Sequence, residues 1–201
     1  IQAMLEGLMR FGWQGKYEGD VLTGLSRPAE AGGGSVTLEP GGQLELSGAP
    51  LINIHQTCAE VNRHLGEVRT VAAELGQSYL GIGYTPNWGL EDAPQMPKGR
   101  YRLMTDYMPT RGTRGLEMMY LTATVQVNLD FGSPADMVEK LKIALALQPL
   151  ATALFANSPF KNGKPTGNLS ERSLVWLDTD PDRTGMLPMV FEPGFGFEHY
   201  V

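Results

Sequence analysis

Glu39 and Glu45 flank a Pro40-Gly41-Gly42 break between two short alternating runs. Val36 and Leu38 alternate with Ser35 and Thr37, and Leu44 and Leu46 alternate with Gln43 and Glu45. That pattern predicts a hairpin whose paired strands bring both carboxylates to one sheet face. Carboxylates that face each other repel unless a cation lies between them, and oxygen ligands suit Mg²⁺. The plainer alternative is two solvated hairpin glutamates, because exposed glutamate is common.

A second candidate is the segment 117–131. Leu121, Ala123, Val125, Val127, Leu129 and Phe131 are apolar, while Thr122, Thr124, Gln126, Asn128 and Asp130 are polar. Period two predicts one strand with opposite faces. Its polar face holds no Lys or Glu, and Thr, Gln and Asn can hydrogen-bond a ligand in a partly dry site. The alternative is an ordinary Thr-rich outer face. A third candidate is three loop arginines: Arg100 in MPKGR, Arg172 in LSERS and Arg183 in DPDRTG. Arginine grips carboxylates and phosphates through a planar fork, although a lone Arg is commonly just a surface charge.

Other residues argue for less. His55, His64 and His199 lack metal-ligand spacing and read as solvated or structural. Cys58 falls on an apolar helical stripe and reads as a small, buried core residue. No GxSxG, Walker-type loop or Cys-rich metal motif is present, and Gly81 and Gly83 lack dinucleotide-fingerprint spacing.

These groups need elements to hold them. Ile1, Leu5, Leu8 and Met9 predict a first helix, stopped by Gly12 and Gly15. Val21–Ser26 reads as a strand. Ile54, Cys58, Val61, Leu65, Val68, Ala72 and Leu75 recur at steps of three or four, with Gly76 as a stop. Tyr79–Tyr84 reads as a strand. Pro86, Gly89, Pro94, Pro97 and Gly99 make 85–99 a loop, and a short helix at 100–107 follows. Ser133 caps a helix with Pro134 at its first position and Asp136 in its first turn, running to about Gln148, where Pro149 kinks it or starts another. Residues 157–172 read as loop, 173–177 as a strand, and DTDPDRTG as a turn-rich loop. Hairpin chemistry outweighs any βαβ signal, so the expected class is α+β with an antiparallel sheet.

Composition bounds the rest. The chain has 201 residues, 42% of them hydrophobic and 19% charged, which excludes global disorder. No run approaches the roughly 18 apolar residues of a membrane span. The net charge of −6 argues against a nucleic-acid partner. One cysteine excludes an intrachain disulfide and fits a reducing compartment. The first residues show no signal or transit pattern, and both ends read as cut, so an internal piece of a longer protein is expected.

The words GGGSVTLEPGGQLELSGAPL, HQTCAEVNRHL, LGIGYTPNW, MPKGRY, TATVQVNLDF, ALALQPLATALFANSPF and RSLVWLDTDPDRTGMLP closely resemble the glutamate–cysteine ligase family of the plant and proteobacterial type. The resemblance runs nearly end to end and keeps the motif order. It implies residues 1–201 as the central part of a single catalytic domain whose N- and C-terminal parts are absent. It also implies a curved antiparallel sheet of the glutamine synthetase-like type with flanking helices, here as an incomplete piece. By the same resemblance Glu39 and Glu45 match the metal-binding hairpin, and Arg100 and Arg172 match positions that hold the carboxylates of glutamate. Gln126 and Asn128 would face the same cavity, and Arg183 would lie near the nucleotide phosphates.

The implied activity is ATP- and Mg²⁺-dependent joining of glutamate to the amine of cysteine through γ-glutamyl phosphate, the first step of glutathione synthesis. The implied partners are these small molecules, with no nucleic acid and no membrane. The implied location is the cytoplasm, or the plastid in a plant. Two alternatives stay open: another glutamate–amine ligase of the same superfamily, and a folded piece that binds ligands without turnover. Cys58 matches a cysteine that in plant members takes part in a redox-sensitive disulfide, and this chain holds no second cysteine.

Overall fold

Alternating side chains build a four-stranded antiparallel sheet in sequence order: β1 (Gln14–Glu18), β2 (Val21–Ser26), β3 (Ser35–Leu38) and β4 (Leu44–Ser47). The expected hairpin is its β3–β4 edge, with Thr37 opposite Glu45 and Leu38 opposite Leu44. The computed structural model describes residues 1–201, the side chain of Ala31 apart. They form two units, Ile1–Gly81 with Leu90–Tyr107, and Ile82–Gly89 with Met108–Val201.

In the first unit, α1 (Gln2–Met9) and α2 (Ile54–Glu74) pack with the sheet. Leu5, Leu8, Leu25 and Val36 are fully buried between them. Each such side chain contributes about 1.5–3 kcal/mol of apolar burial. The side chain of Asn53 accepts the Gln56 N–H at the start of α2. At its end Gly76, at φ 64°, and Gln77 close a Schellman turn onto Ala73 and Ala72. α3 (Gly99–Tyr107) completes the unit.

The inward face of α2 differs from the expected stripe. Its buried residues are Glu60, His64, Glu67, Val68, Val71 and Ala72. Ile54, Val61, Leu65 and Leu75 are exposed, and so is Cys58, which corrects the expectation of a buried thiol. Partners explain the rotation. Glu60 accepts the Ala49 N–H at 3.0 Å, and Glu67 accepts from Trp13 and pairs with Arg27. A carboxylate satisfied in this way can occupy a face that polarity alone would give to leucine.

The second unit is mainly helical: α4 (Gly115–Leu121), α5 (Pro134–Leu154), α6 (Glu171–Leu177) and α7 (Phe197–Tyr200). A two-residue hairpin pairs β5 (Phe160–Lys161) with β6 (Lys164–Pro165). It turns on Asn162 and Gly163, both at positive φ. Ser133 caps α5 as expected, accepting the Asp136 N–H, and the helix continues through Pro149 to Leu154. Among the described residues, no helix is long and apolar enough to cross a membrane.

Three strand expectations fail here. Residues 115–121 are helical, and in place of a 117–131 strand only Thr122 bridges, to Tyr84. Beyond Ala123 the alternation finds no ladder among the described residues, and Val125, Val127 and Leu129 are 91%, 76% and 67% exposed. A strand needs a neighbour to take its hydrogen bonds, whatever its side-chain period. Tyr79–Tyr84 lacks one for the same reason, except at that bridge. The segment 173–177 is helix, because Ser170 accepts the Ser173 N–H and Glu171 sits in the first turn.

Candidate functional site

The β3–β4 register decides where the two glutamates point. Thr37 lies opposite Glu45, and Glu39 follows Thr37 by two residues. All three therefore share a face, opposite the one that carries Val36 and Leu38 into the core. Beyond the ladder, the Glu39 N–H donates to the Gln43 carbonyl and the Gly42 N–H to the Glu39 carbonyl. Gly42 takes φ 79°, a conformation that favours glycine. Glu39 is half-buried and Glu45 is exposed.

Two cations accompany the pair. α3 begins directly after Lys98, and its Gly99 N–H donates to Glu18 at 3.0 Å. The buried Tyr101 hydroxyl is the hub. It donates to the Leu38 carbonyl at 2.8 Å and accepts from Arg100 at 3.0 Å, with a Glu39 oxygen 3.5 Å away. Lys98 Nζ donates to the same Leu38 carbonyl at 2.7 Å. Burial lowers the Lys98 pKa, as does the nearby Arg100 charge, and Glu39, Glu18 and Glu45 oppose them. Arg100 is raised by its bond to Tyr101 and further by Glu39 and Glu45. The exposed Arg100 guanidinium is thus tethered on one side by Tyr101 and leaves further donors for an anion.

The second unit holds the other candidates. Arg172 is half-buried on the first turn of α6, with its guanidinium 5.5 Å from the Trp176 ring centre. Its Nε is buried without a hydrogen-bond partner among the described residues, and burial lowers its pKa. A desolvated guanidinium donor without an acceptor suits an incoming carboxylate or phosphate. Beside it runs an ion network that the sequence did not reveal. Arg114 Nη2 binds Glu117 at 2.6 Å and Glu171 at 2.5 Å. Lys161 reaches Glu117 at 2.9 Å, and the Tyr84 hydroxyl donates to Glu117 at 3.0 Å. Burial would raise the Glu117 pKa, but the bonds from Arg114, Lys161 and Tyr84 prevail and hold it below the usual value.

Gln126 and Asn128 are exposed and hydrogen-bond each other at 2.9 Å. Arg183 is 65% exposed and reaches the buried Asp180 at 3.5 Å. Of the histidines, only His64 is buried, against Trp13. Lys98 and the 114–117–161–171 network went unread. The first had a signal, since it shares the MPKGR word with Arg100. The second had none, because Lys161 and Glu171 lie far along the chain from Arg114 and Glu117.

A metal requirement can be tested against the donor set. Mg²⁺ keeps several waters and binds through one or two carboxylates plus phosphate oxygens. Glu39 and Glu45 on one face fit that description. No group of three or more acidic, His or Cys residues that could hold a metal occurs among the described residues.

Known proteins share this arrangement of words. The chain is 60% identical over its whole length to the chloroplastic glutamate–cysteine ligase of Arabidopsis thaliana and 59% identical to that of Nicotiana tabacum, covering 38% of each. It is 57% identical to ligase A of Oryza sativa subsp. japonica, covering 40%. It thus spans about two fifths of the length of these relatives. The model of glutamate-cysteine ligase family 2 matches residues 13–201, and the chain belongs to that family.

Proposed function

We propose that the protein containing this chain joins the γ-carboxylate of glutamate to the amine of cysteine at the expense of ATP, and that these 201 residues supply part of one catalytic domain. The relatives' names carry the ligase reading. The structural observation that carries it furthest is Arg172, a half-buried guanidinium with an unsatisfied donor. In the proposed reaction the γ-carboxylate attacks the terminal phosphorus of ATP, releasing ADP. The cysteine amine then attacks the acyl carbon, and phosphate leaves with the transferred oxygen.

Such chemistry asks the protein chiefly for positioning and charge neutralisation. Arg100 and Arg172 each grip a carboxylate of glutamate through the planar fork. Tyr101 fixes the Arg100 fork, and Lys98 adds positive charge beside it. Glu39 and Glu45 would hold Mg²⁺, which when bound neutralises phosphate charge. Gln126 and Asn128 contribute polar contacts to substrate, and Arg183 lies toward nucleotide phosphate. The antiparallel sheet and flanking helices are consistent with the glutamine synthetase-like type. The chloroplastic names of the relatives favour a plastid location. A catalytically incomplete piece remains the second reading for the isolated chain, favoured by its two-carboxylate donor set.

The test is steady-state kinetics on Arg100→Lys and Arg172→Lys in the full-length protein. Each keeps the charge and loses the bidentate fork. The KM for glutamate should rise about tenfold or more, with that for ATP within about twofold. Equal rises for both substrates would refute the assignment.

A further inference from the structure

We propose that Glu171, Arg114 and Ser158 are positioning residues for Arg172, holding the first turn of α6 so that the Arg172 guanidinium keeps one aim. The proposal rests on the reading of Arg172 as a carboxylate-binding residue.

The helix that carries Arg172 has seven residues and is too short to hold itself. It is fastened at both ends. At the start, Ser158 is 3% exposed and takes two bonds: its carbonyl accepts the Glu171 N–H at 2.9 Å, and its Oγ accepts the Arg172 N–H at 3.2 Å. The Glu171 side chain, 7% exposed, binds Arg114 at 2.5 Å. Arg114 is held in turn by Glu117, and Glu117 by Lys161. At the far end, the Arg114 N–H donates to the Asp178 carbonyl at 3.0 Å, and the Thr113 N–H and hydroxyl donate to the Asp178 carboxylate. Gly112 allows that approach: a Cβ there would collide with the Asp178 and Thr179 carbonyls.

Residues 112–117 therefore grip α6 at both ends, and Arg114 takes part in each grip. The network is balanced, with Arg114 and Lys161 against Glu117 and Glu171. It leaves no surplus charge to compete with Arg172 for an anion. Glu171 precedes Arg172 in the chain, yet it is spent on Arg114 and does not neutralise its neighbour. Its role is to fix direction rather than to touch substrate.

Double-variant kinetics on the full-length enzyme test this. Glu171→Gln keeps the shape and removes the charge, and Ser158→Ala removes the hydroxyl acceptor. Each should raise the KM for glutamate about three- to tenfold while the KM for ATP stays within about twofold. Combined with Arg172→Lys, each should add little, because the fork they aim is already gone. Multiplicative effects would overturn the proposal, as would parallel rises in both KM values with a lowered melting temperature. Should Glu171→Gln fail to fold, Ser158→Ala decides alone. If Arg172→Lys leaves the KM for glutamate unchanged, the reading of Arg172 falls and this inference falls with it. If Arg172→Lys raises it but neither other variant does, only this inference falls.

Discussion

Removing the Glu67 carboxylate should damage the first unit more than any exposed substitution. Glu67 lies on the inward face of α2 and accepts the Trp13 indole N–H at 2.8 Å. Its other oxygen binds Arg27 at 3.1 Å, with both side chains under 10% exposed. The Arg27 guanidinium lies 3.9 Å from the Trp13 ring centre, so three groups share one dry contact. Glu67→Ala leaves a buried cation and a buried indole donor unpaired. Breaking a buried pair from one side costs about 3–5 kcal/mol, far more than losing a solvated pair such as Arg10–Glu74, which water screens. For a protein of this size that corresponds to a melting-temperature loss of roughly 10 °C. Removing both charges, as Arg27→Met with Glu67→Leu, should recover part of the loss, because no ion is then stranded. Urea unfolding followed by tryptophan emission measures both variants. A Glu67→Ala cost under about 1 kcal/mol, or a double variant no better than the single, would refute the reasoning.

Three further outcomes are expected. Burial holds the His64 pKa below its ordinary value, more strongly than Glu67 and Glu60 raise it, and Arg27 lowers it further. The folded state therefore binds its proton less readily than the unfolded state, so this stability is present above about pH 6.5 and is lost as pH falls through and below that value. His64→Gln should flatten that part of a stability–pH curve, and an unchanged slope would contradict the assignment. Cys58 is exposed, so a thiol reagent should label it in the native protein at a rate near that of the unfolded chain; strong protection would show the thiol is covered. Ser133→Ala should cost about 1 kcal/mol in urea unfolding, since its Oγ accepts the Asp136 N–H at 3.1 Å; no loss would mean the cap is not holding α5.

What could be read from the residues divides by range. The β3–β4 hairpin, the helical run from Ile54 with its Gly76 stop, and the Ser133 cap are legible, because each is written in nearby residues. The Asn162-Gly163 turn is equally local, and Asn-Gly is a strong hairpin signal, although the surrounding composition reads as loop. The face of α2 was misread, because Glu60 and Glu67 find partners at Ala49, Trp13 and Arg27, and nothing within the helix announces them. The 117–131 strand was misread because alternation describes side chains, whereas a strand is made by its neighbour. Among the proposed site residues, Glu39, Glu45, Arg100 and Arg172 each lie in a short, readable sequence motif. The Arg114–Glu171 contact joins residues 57 apart and had no local trace.

Oxygen transfer tests the proposed ligase chemistry most directly. Glutamate labelled with ¹⁸O in its γ-carboxylate, incubated with the full-length protein, ATP, Mg²⁺ and cysteine, should yield γ-glutamylcysteine and phosphate carrying one labelled oxygen from that carboxylate. Arg172→Lys should reduce both products together at limiting glutamate. Phosphate released without label, or labelled phosphate undiminished in the Arg172 variant, would contradict the assignment.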